Sequence, residues 1–323
     1  MSSRRARAIV IVISTLTIAL LPLVVQDRFL LKIFTFVGLN ALVVVGISLL
    51  FGYAGQVSLG HAGFVGLGAY TAAFLVARLD LPWLLAMVAA GLVTALGGMV
   101  LAVPSLRLKG HYLAMATLGF GELMTLGFKE ADFVTGGVNG FSGVPFPSVG
   151  ALVLDTPQQL YWLVWSVVGV ALLLAGNIVA SRPGRAMRAL HGSELGAQAS
   201  GVDVVGVKVR AFVLSATFAG LSGALYASIV GFISPSLFTT AASVTFLAMA
   251  VIGGSNSLAG PLLSVVLLTL LEYLDALVPG ISRTTAEVIQ AYQADIYGLA
   301  IIAVILFAPS GLAGMWRRTR STV

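Results

Sequence analysis

The sequence has no cysteine among its 323 residues, so neither a disulfide framework nor a thiolate metal site can form. Charge is nearly as scarce: 9% of residues are Asp, Glu, Lys or Arg, against roughly 25% in a water-soluble domain. A phosphate loop of the form G-x-x-x-x-G-K-[ST] is missing, which removes ATP hydrolysis by that route. The zinc pattern H-E-x-x-H and the G-x-S-x-G elbow are missing too, and the three histidines lie far apart. No segment holds the charge ladder of a voltage sensor or a T-V-G-Y-G filter.

What the chain has instead is apolar length. Hydrophobic residues make up 59% of it and mean hydropathy is +1.03, which describes an integral membrane protein. A bilayer core needs roughly 20 apolar residues per helix, and that window finds about ten candidate spans. They are 8–25, 29–51, 57–78, 82–103, 111–128, 159–180, 211–231, 241–253, 261–279 and 289–308. The expected fold is an all-α integral membrane protein, a polytopic helical bundle with broken helices and both termini cytoplasmic. Residues 1–323 form a single transmembrane domain on this reading. The first span follows "RRAR" but lacks a small-residue cleavage site, and another apolar run follows at once, so it reads as a retained helix.

Lys and Arg collect in cytoplasmic loops, which tests the topology. With the N-terminus inside, the cytosolic set is Arg4, Arg5, Arg7, Arg107, Lys109, Arg182, Arg185, Arg188, Lys208, Arg210, Arg317, Arg318 and Arg320. The outward set is smaller: Arg28, Lys32, Arg78, Lys129 and Arg283. The net charge of +6 is therefore a matter of topology and argues against a nucleic-acid partner.

Two loops are long. The extracytoplasmic one, 129–158, is rich in Gly and Pro and is expected to hold a short, partly ordered cap. The cytosolic one, 181–210, begins with Ser181 as a cap and Pro183 in a first turn. Its stretch "GRAMRALHGSELGAQASG" favours helix until Gly201 stops it. Arg182, Arg185 and Arg188 share a face. Either they anchor the loop to membrane lipid phosphates, or the helix docks on a cytosolic partner.

Glycine is dense between the second and third spans, in "GYAGQVSLGHAGFVGLGAY" (52–70). Ser58, Ala62 and Gly66 recur every four residues, as do Ser215, Ala219, Gly223 and Ala227, and both sets read as helix contact seams. Gly52, Gly55 and Gly60 come too densely for packing alone. They fit either a pathway-lining break, whose helix-end amides attract carboxylates, or a cytosolic turn. "GQVSLG" (55–60) and "GSNSLA" (254–259) form a weak echo, either a repeat or coincidence.

Charge inside a span is the usual flag for function. Glu122 lies mid-way along the fifth span with Thr117 and Thr125 nearby, and is either a pathway group or a structural carboxylate. Glu272, Asp275 and Asp295 are expected at the outer interface, and His111 and His191 at interfaces. His61 either binds substrate or caps the break. Gly60, His61, Gly63, Thr117 and Glu122 are the candidate substrate-pathway residues.

Five blocks, including "GLNALVVVGISLLFGYAGQVSLGHAGFVGLGAYTAAFL", "PSLRLKGHYLAMATLGFGEL", "TGGVNGFSGVP", "GRAMRALHGSELGAQASGVDVVGVKVRAFVLSATFAGLSGALYA" and "PSGLAG", run in order from about residue 30 to 314. They resemble the membrane permease of branched-chain amino acid ABC importers, the LivM type. Similar permeases carry urea or short amides, and "SLGHAGF" is common to them all. The resemblance implies a non-catalytic transport subunit with no cofactor. It further implies a homologous second permease, two cytosolic ATPase subunits, an extracytoplasmic solute-binding protein and a small amino acid substrate. Residues matching the family's ATPase-coupling helix are Gly184, Arg185, Arg188, Glu194, Ala197 and Gly201. Asn256 stands where relatives commonly have a third glycine. An independent secondary carrier, needing no ATPase, is the alternative class.

Overall fold

In a computed structural model, the described residues are 22, 27–106, 108, 110–150, 152–254, 257–273 and 292, 298, 299, 302 and 303. The expected first span lies almost wholly outside them, as do most of 289–308 and the end of 261–279. Arg4, Arg5, Arg7, Arg107, Lys109, Asn256, Asp275, Arg283, Asp295, Arg317, Arg318 and Arg320 also lie outside the described residues.

The described chain is a helical membrane protein. Helix α1 (Arg28–Ile47) starts where the Asp27 carboxylate accepts from the Phe29 amide at 2.8 Å, and it continues as a π-helix over Ser48–Tyr53. Then come α2 (His61–Leu79), α3 (Trp83–Ser105), α4 (His111–Glu130) and the short α5 (Asp132–Thr135). Helix α6 (Pro157–Ala180) opens on a Thr156–Gln159 capping box with Pro157 in its first turn. Helices α7 (Arg182–Gly192), α8 (Glu194–Ala199), α9 (Val204–Val230), α10 (Thr240–Gly253) and α11 (Ala259–Glu272) complete the order. Six of these segments are long and apolar enough to cross a membrane: Arg28–Tyr53, His61–Leu79, Trp83–Pro104, Pro157–Ala180, Val204–Val230 and Pro235–Gly253. Helix α4 is as long, but His111, Glu122, Lys129 and Glu130 dilute its apolar run.

Helix α9 lies at the centre, packed against α1, α2 and α3. Apolar surface gives no net drive between helices in lipid, so close backbone approach supplies the contact energy. Ser215, Ala219, Gly223 and Ala227 are all buried, as a contact seam requires. A Cβ on Gly223 would collide with the Val65 carbonyl, and one on Gly68 with the Gly220 backbone. The other expected seam is corrected at one position. Helix α2 begins at His61, so Ser58 precedes the helix while Ala62 and Gly66 lie on it. A Cβ on Gly66 would meet the Phe128 and Phe238 rings.

The 129–158 segment is an ordered cap. After α5 and a 3-10 turn (Gly137–Asn139), strand β1 (Phe141–Ser142) pairs antiparallel with β4 (Phe232–Ile233), which follows α9. Strands β2 (Ser148–Val149) and β3 (Leu152–Val153) form a small hairpin. The Arg78 guanidinium sits 5.7 Å over the Phe141 ring, joining the end of α2 to this cap.

The 181–210 segment differs from the single helix expected. Ser193 adopts an extended conformation and divides it into α7 and α8, because its hydroxyl accepts from the Gly196 amide at 3.1 Å and caps a new helix. Ser181 stands at the cap position of α7, yet its hydroxyl donates back to the Ile178 carbonyl at 2.6 Å.

Replacing Gly223 by Leu is expected to separate α2 from α9 and lower the thermal midpoint of the detergent-solubilised protein, overpacking of this kind costing about 1–3 kcal/mol. Gly119→Ala, at a site with open space around a Cβ, should leave that midpoint unchanged or raised, and the pair of melting curves checks the seam.

Candidate functional site

The glycine-dense stretch contains a non-helical link between α1 and α2. The π-helix ends at Tyr53, residues 54–60 are non-helical, and Gly55 adopts φ +69°. In hydrocarbon each unpaired backbone group costs several kcal/mol, so the fate of these amides decides what the break can do. The Leu59 amide donates to Thr117 Oγ1 of α4 at 2.9 Å, and that hydroxyl donates onward to the Ala114 carbonyl at 2.9 Å. The Ala62 amide donates to Ser243 Oγ of α10 at 2.9 Å, and the Gly63 amide to the Gly60 carbonyl at 3.1 Å. Two hydroxyls from neighbouring helices thus close the start of α2.

Glycine makes that closure possible. A Cβ on Gly60 would strike the Thr117 carbonyl, and one on Gly63 would lie 3.2 Å from Met124 Cβ. His61 is fully buried, and its Nε2 lies 2.6 Å from Ser215 Oγ of α9. Gly60, His61, Gly63 and Thr117 therefore form one buried group at the junction of α2, α4, α9 and α10.

Glu122 stands apart from it. Thr117, Gly121 and Thr125 share the inward face of α4, whereas Glu122 is exposed on another face with Met115 and Leu126. Its carboxylate accepts from Thr240 Oγ1 in the first turn of α10. Ser243 and Thr240 were not singled out from the sequence. Nothing in "TTAAS" marks them beyond hydroxyls in the first turn of an apolar helix.

The second group lies at the α6–α9 elbow. Helix α7 buries Gly184, Met187 and Leu190 and exposes Arg182, Arg185 and Arg188. A Cβ on Gly184 would collide with the Ile178 and Val179 carbonyls, so glycine lets α7 fold back tightly on the end of α6. Arg188 Nη1 donates to the Val179 carbonyl at 3.0 Å. Glu194 Oε1 and Lys208 Nζ form an ion pair at 2.9 Å, with Lys208 1% exposed and Glu194 25% exposed. Ala197 is buried, and its carbonyl accepts from the Val202 amide at 3.0 Å as Gly201, at φ +77°, ends the turn after α8. Of the six residues expected to couple, Arg185 is presented outward, Gly184 and Arg188 tie the elbow to α6, Glu194 ties it to α9, and Ala197 and Gly201 shape the turn between α8 and α9. Glu272 closes α11, and His111 and His191 are exposed at helix ends.

The family model described as "Branched-chain amino acid transport system / permease component" matches residues 29–308. The high-affinity branched-chain amino acid transport system permease protein LivM of Salmonella typhimurium is 32% identical over 88% of this chain and 68% of its own length. The Escherichia coli protein of that name is 32% identical over 89% and 69% respectively. The E. coli permease protein LivH is 25% identical over 85% of this chain and 91% of its own. No solved structure matches. The chain belongs to the branched-chain amino acid transport permease family, as a multi-pass inner-membrane transport subunit and not an enzyme.

Proposed function

We propose that this chain is the permease of an ATP-binding cassette importer that moves branched-chain, small aliphatic amino acids inward by alternating access. About ten spans place both termini in the cytoplasm, with 129–158 outside and 181–210 inside, and residues 1–323 act as one permease domain. The similarity to two differently named permease proteins, LivM and LivH, supports pairing with a homologous second permease. Two cytosolic ATPase subunits supply the energy this chain has no motif to supply, and an extracytoplasmic binding protein delivers the solute.

The observation that carries the reading is the elbow. Helix α7 turns a basic face outward while Gly184 seats its buried face on the end of α6 and Arg188 reaches back from the exposed face to the Val179 carbonyl, and α8 is held to α9 by the Glu194–Lys208 pair. A surface clamped to two long helices and open on its charged side suits docking to a protein that moves. Arg185 meets the ATPase on this reading, and Gly201 sets the angle at which α9 departs.

Substrate passes along α4. Glu122, exposed on α4, meets the ammonium group, since a carboxylate facing hydrocarbon is costly. The plugged start of α2 is the shut form of a carboxylate site. When α4 or α10 shifts, Thr117 and Ser243 release the Leu59 and Ala62 amides beside Gly60, His61 and Gly63.

In vesicles carrying the complete assembly, leucine uptake should stop when ATP hydrolysis is blocked; uptake that persists would favour a self-sufficient carrier, and urea uptake without leucine uptake would reassign the solute. Glu122→Gln should cut leucine uptake by about 10-fold or more, the loss expected when one charged hydrogen-bond partner is removed. Arg185→Glu should weaken retention of the ATPase subunits on the purified permease by about 10-fold while its thermal midpoint holds, because Arg185 lies exposed on α7.

A further inference from the structure

The elbow and the helix break are separate features in the sequence, and the fold brings them into contact. Gly55, at φ +69° in the break, lies so close to the end of α7 that a Cβ there would sit 3.2 Å from His191 Nδ1 and 3.3 Å from its Cα. The imidazole therefore lies beside the Gly55 main chain, at a position where only glycine leaves it room.

Segment 54–60 is held firmly at both ends. At the α1 end, the Ala54, Gly55 and Gln56 amides donate to the Leu49, Phe51 and Leu50 carbonyls at 3.2, 3.1 and 3.0 Å. At the α2 end, Thr117 holds the Leu59 amide and Ser215 holds His61. Ser215 and Lys208 lie seven residues apart on α9, about two turns and hence on one face. Lys208 is tied to Glu194, which follows His191 by three residues. The contacts close a circuit: α7 to the break through His191, the break to α9 through His61, and α9 back to the elbow through Lys208.

We propose that His191 is a positioning residue for transport. Its ring fills the space beside Gly55, so that displacement of α7 passes through residues 54–60 to His61 and the start of α2 without first travelling along α6 or α9. The inference rests on the permease reading above. The ring acts by bulk: it occupies the space beside Gly55 that a Cβ there would need.

The test uses the complete assembly in vesicles, reading leucine uptake per ATP hydrolysed. His191→Ala should leave ATP hydrolysis within about 2-fold of the unaltered assembly and lower uptake per ATP by about 10-fold, whereas His191→Phe should keep the ratio within about 2-fold. Unchanged coupling in His191→Ala overturns the proposal. So does an equal loss in His191→Phe, which would make the role one of imidazole chemistry and not of bulk. A second arm needs no ATPase: p-azidophenylalanine at position 191, photolysed in native membranes, should attach to residues 54–57 when the peptides are read by mass spectrometry. Adducts confined to other segments overturn the contact itself. Uptake independent of ATP in the unaltered assembly would strike the permease reading alone, leaving the photolysis result to stand or fall separately.

Discussion

Hydrocarbon offers no hydrogen bonds, so every backbone group outside a helix must find its partner within the protein. That constraint organises the structure around residues 54–60. Amides where α2 begins have no helical partners, and a buried amide left unpaired is costly; the chain meets this with hydroxyls brought from α4 and α10. Thr117 and Ser243 thus hold the start of α2 by accepting from its Leu59 and Ala62 amides.

Helix α9 makes the sealed break rigid. Its small residues let α2 approach to backbone contact through Gly223 and Gly220, and polar side chains interrupt the same helix at useful points. Ser215 takes His61, Ser222 donates to the Leu39 carbonyl at 2.8 Å, and Ser228 accepts from the Trp83 indole at 2.9 Å. Each bond joins α9 to a different helix, so displacement of one is felt by all. Lys208 extends this to the elbow, where a buried ammonium is tolerable because Glu194 pairs with it. Loss of one partner would leave a buried charge uncompensated, which fixes the geometry more firmly than apolar contact would.

Much of this was legible in the sequence for a simple reason: hydropathy over roughly 20 residues and glycine density are local properties, and the bilayer imposes them directly. The spans around 29–51, 82–103 and 159–180 fall on helices, and Gly55 and Gly60 mark a break. Its limits were not legible. The third span was expected from residue 57, but α2 starts at His61 because Leu59 and Ala62 are anchored by residues 58 and 181 positions away. No local pattern encodes such partners. The elbow shows the same limit: helix propensity through "GRAMRALHGSELGAQASG" is real, and a capping serine within it still divides the helix. Glu122 was found for its charge alone, and its partner Thr240 could not be.

The outward faces of α3 and α4 differ in a way that bears on what surrounds them. Helix α3 exposes Leu84, Leu85, Val88, Leu92, Leu96 and Val100, a surface of hydrocarbon that lipid chains match at no electrostatic cost. Helix α4 exposes Met115, Leu123 and Leu126 with Glu122 among them, and leaves open space at Gly119 and Gly127. Lipid would have to accommodate a carboxylate at depth, whereas a second protein surface or a water-filled path can solvate it. Small residues beside the acid leave room for backbone or solute to approach closely. The two faces cannot both be lipid-facing by the same physics, and the polar one belongs to the helix that also supplies Thr117 to the start of α2. Thr117 and Glu122 thus leave α4 on different faces, one bonded to the Leu59 amide and the other to Thr240 of α10.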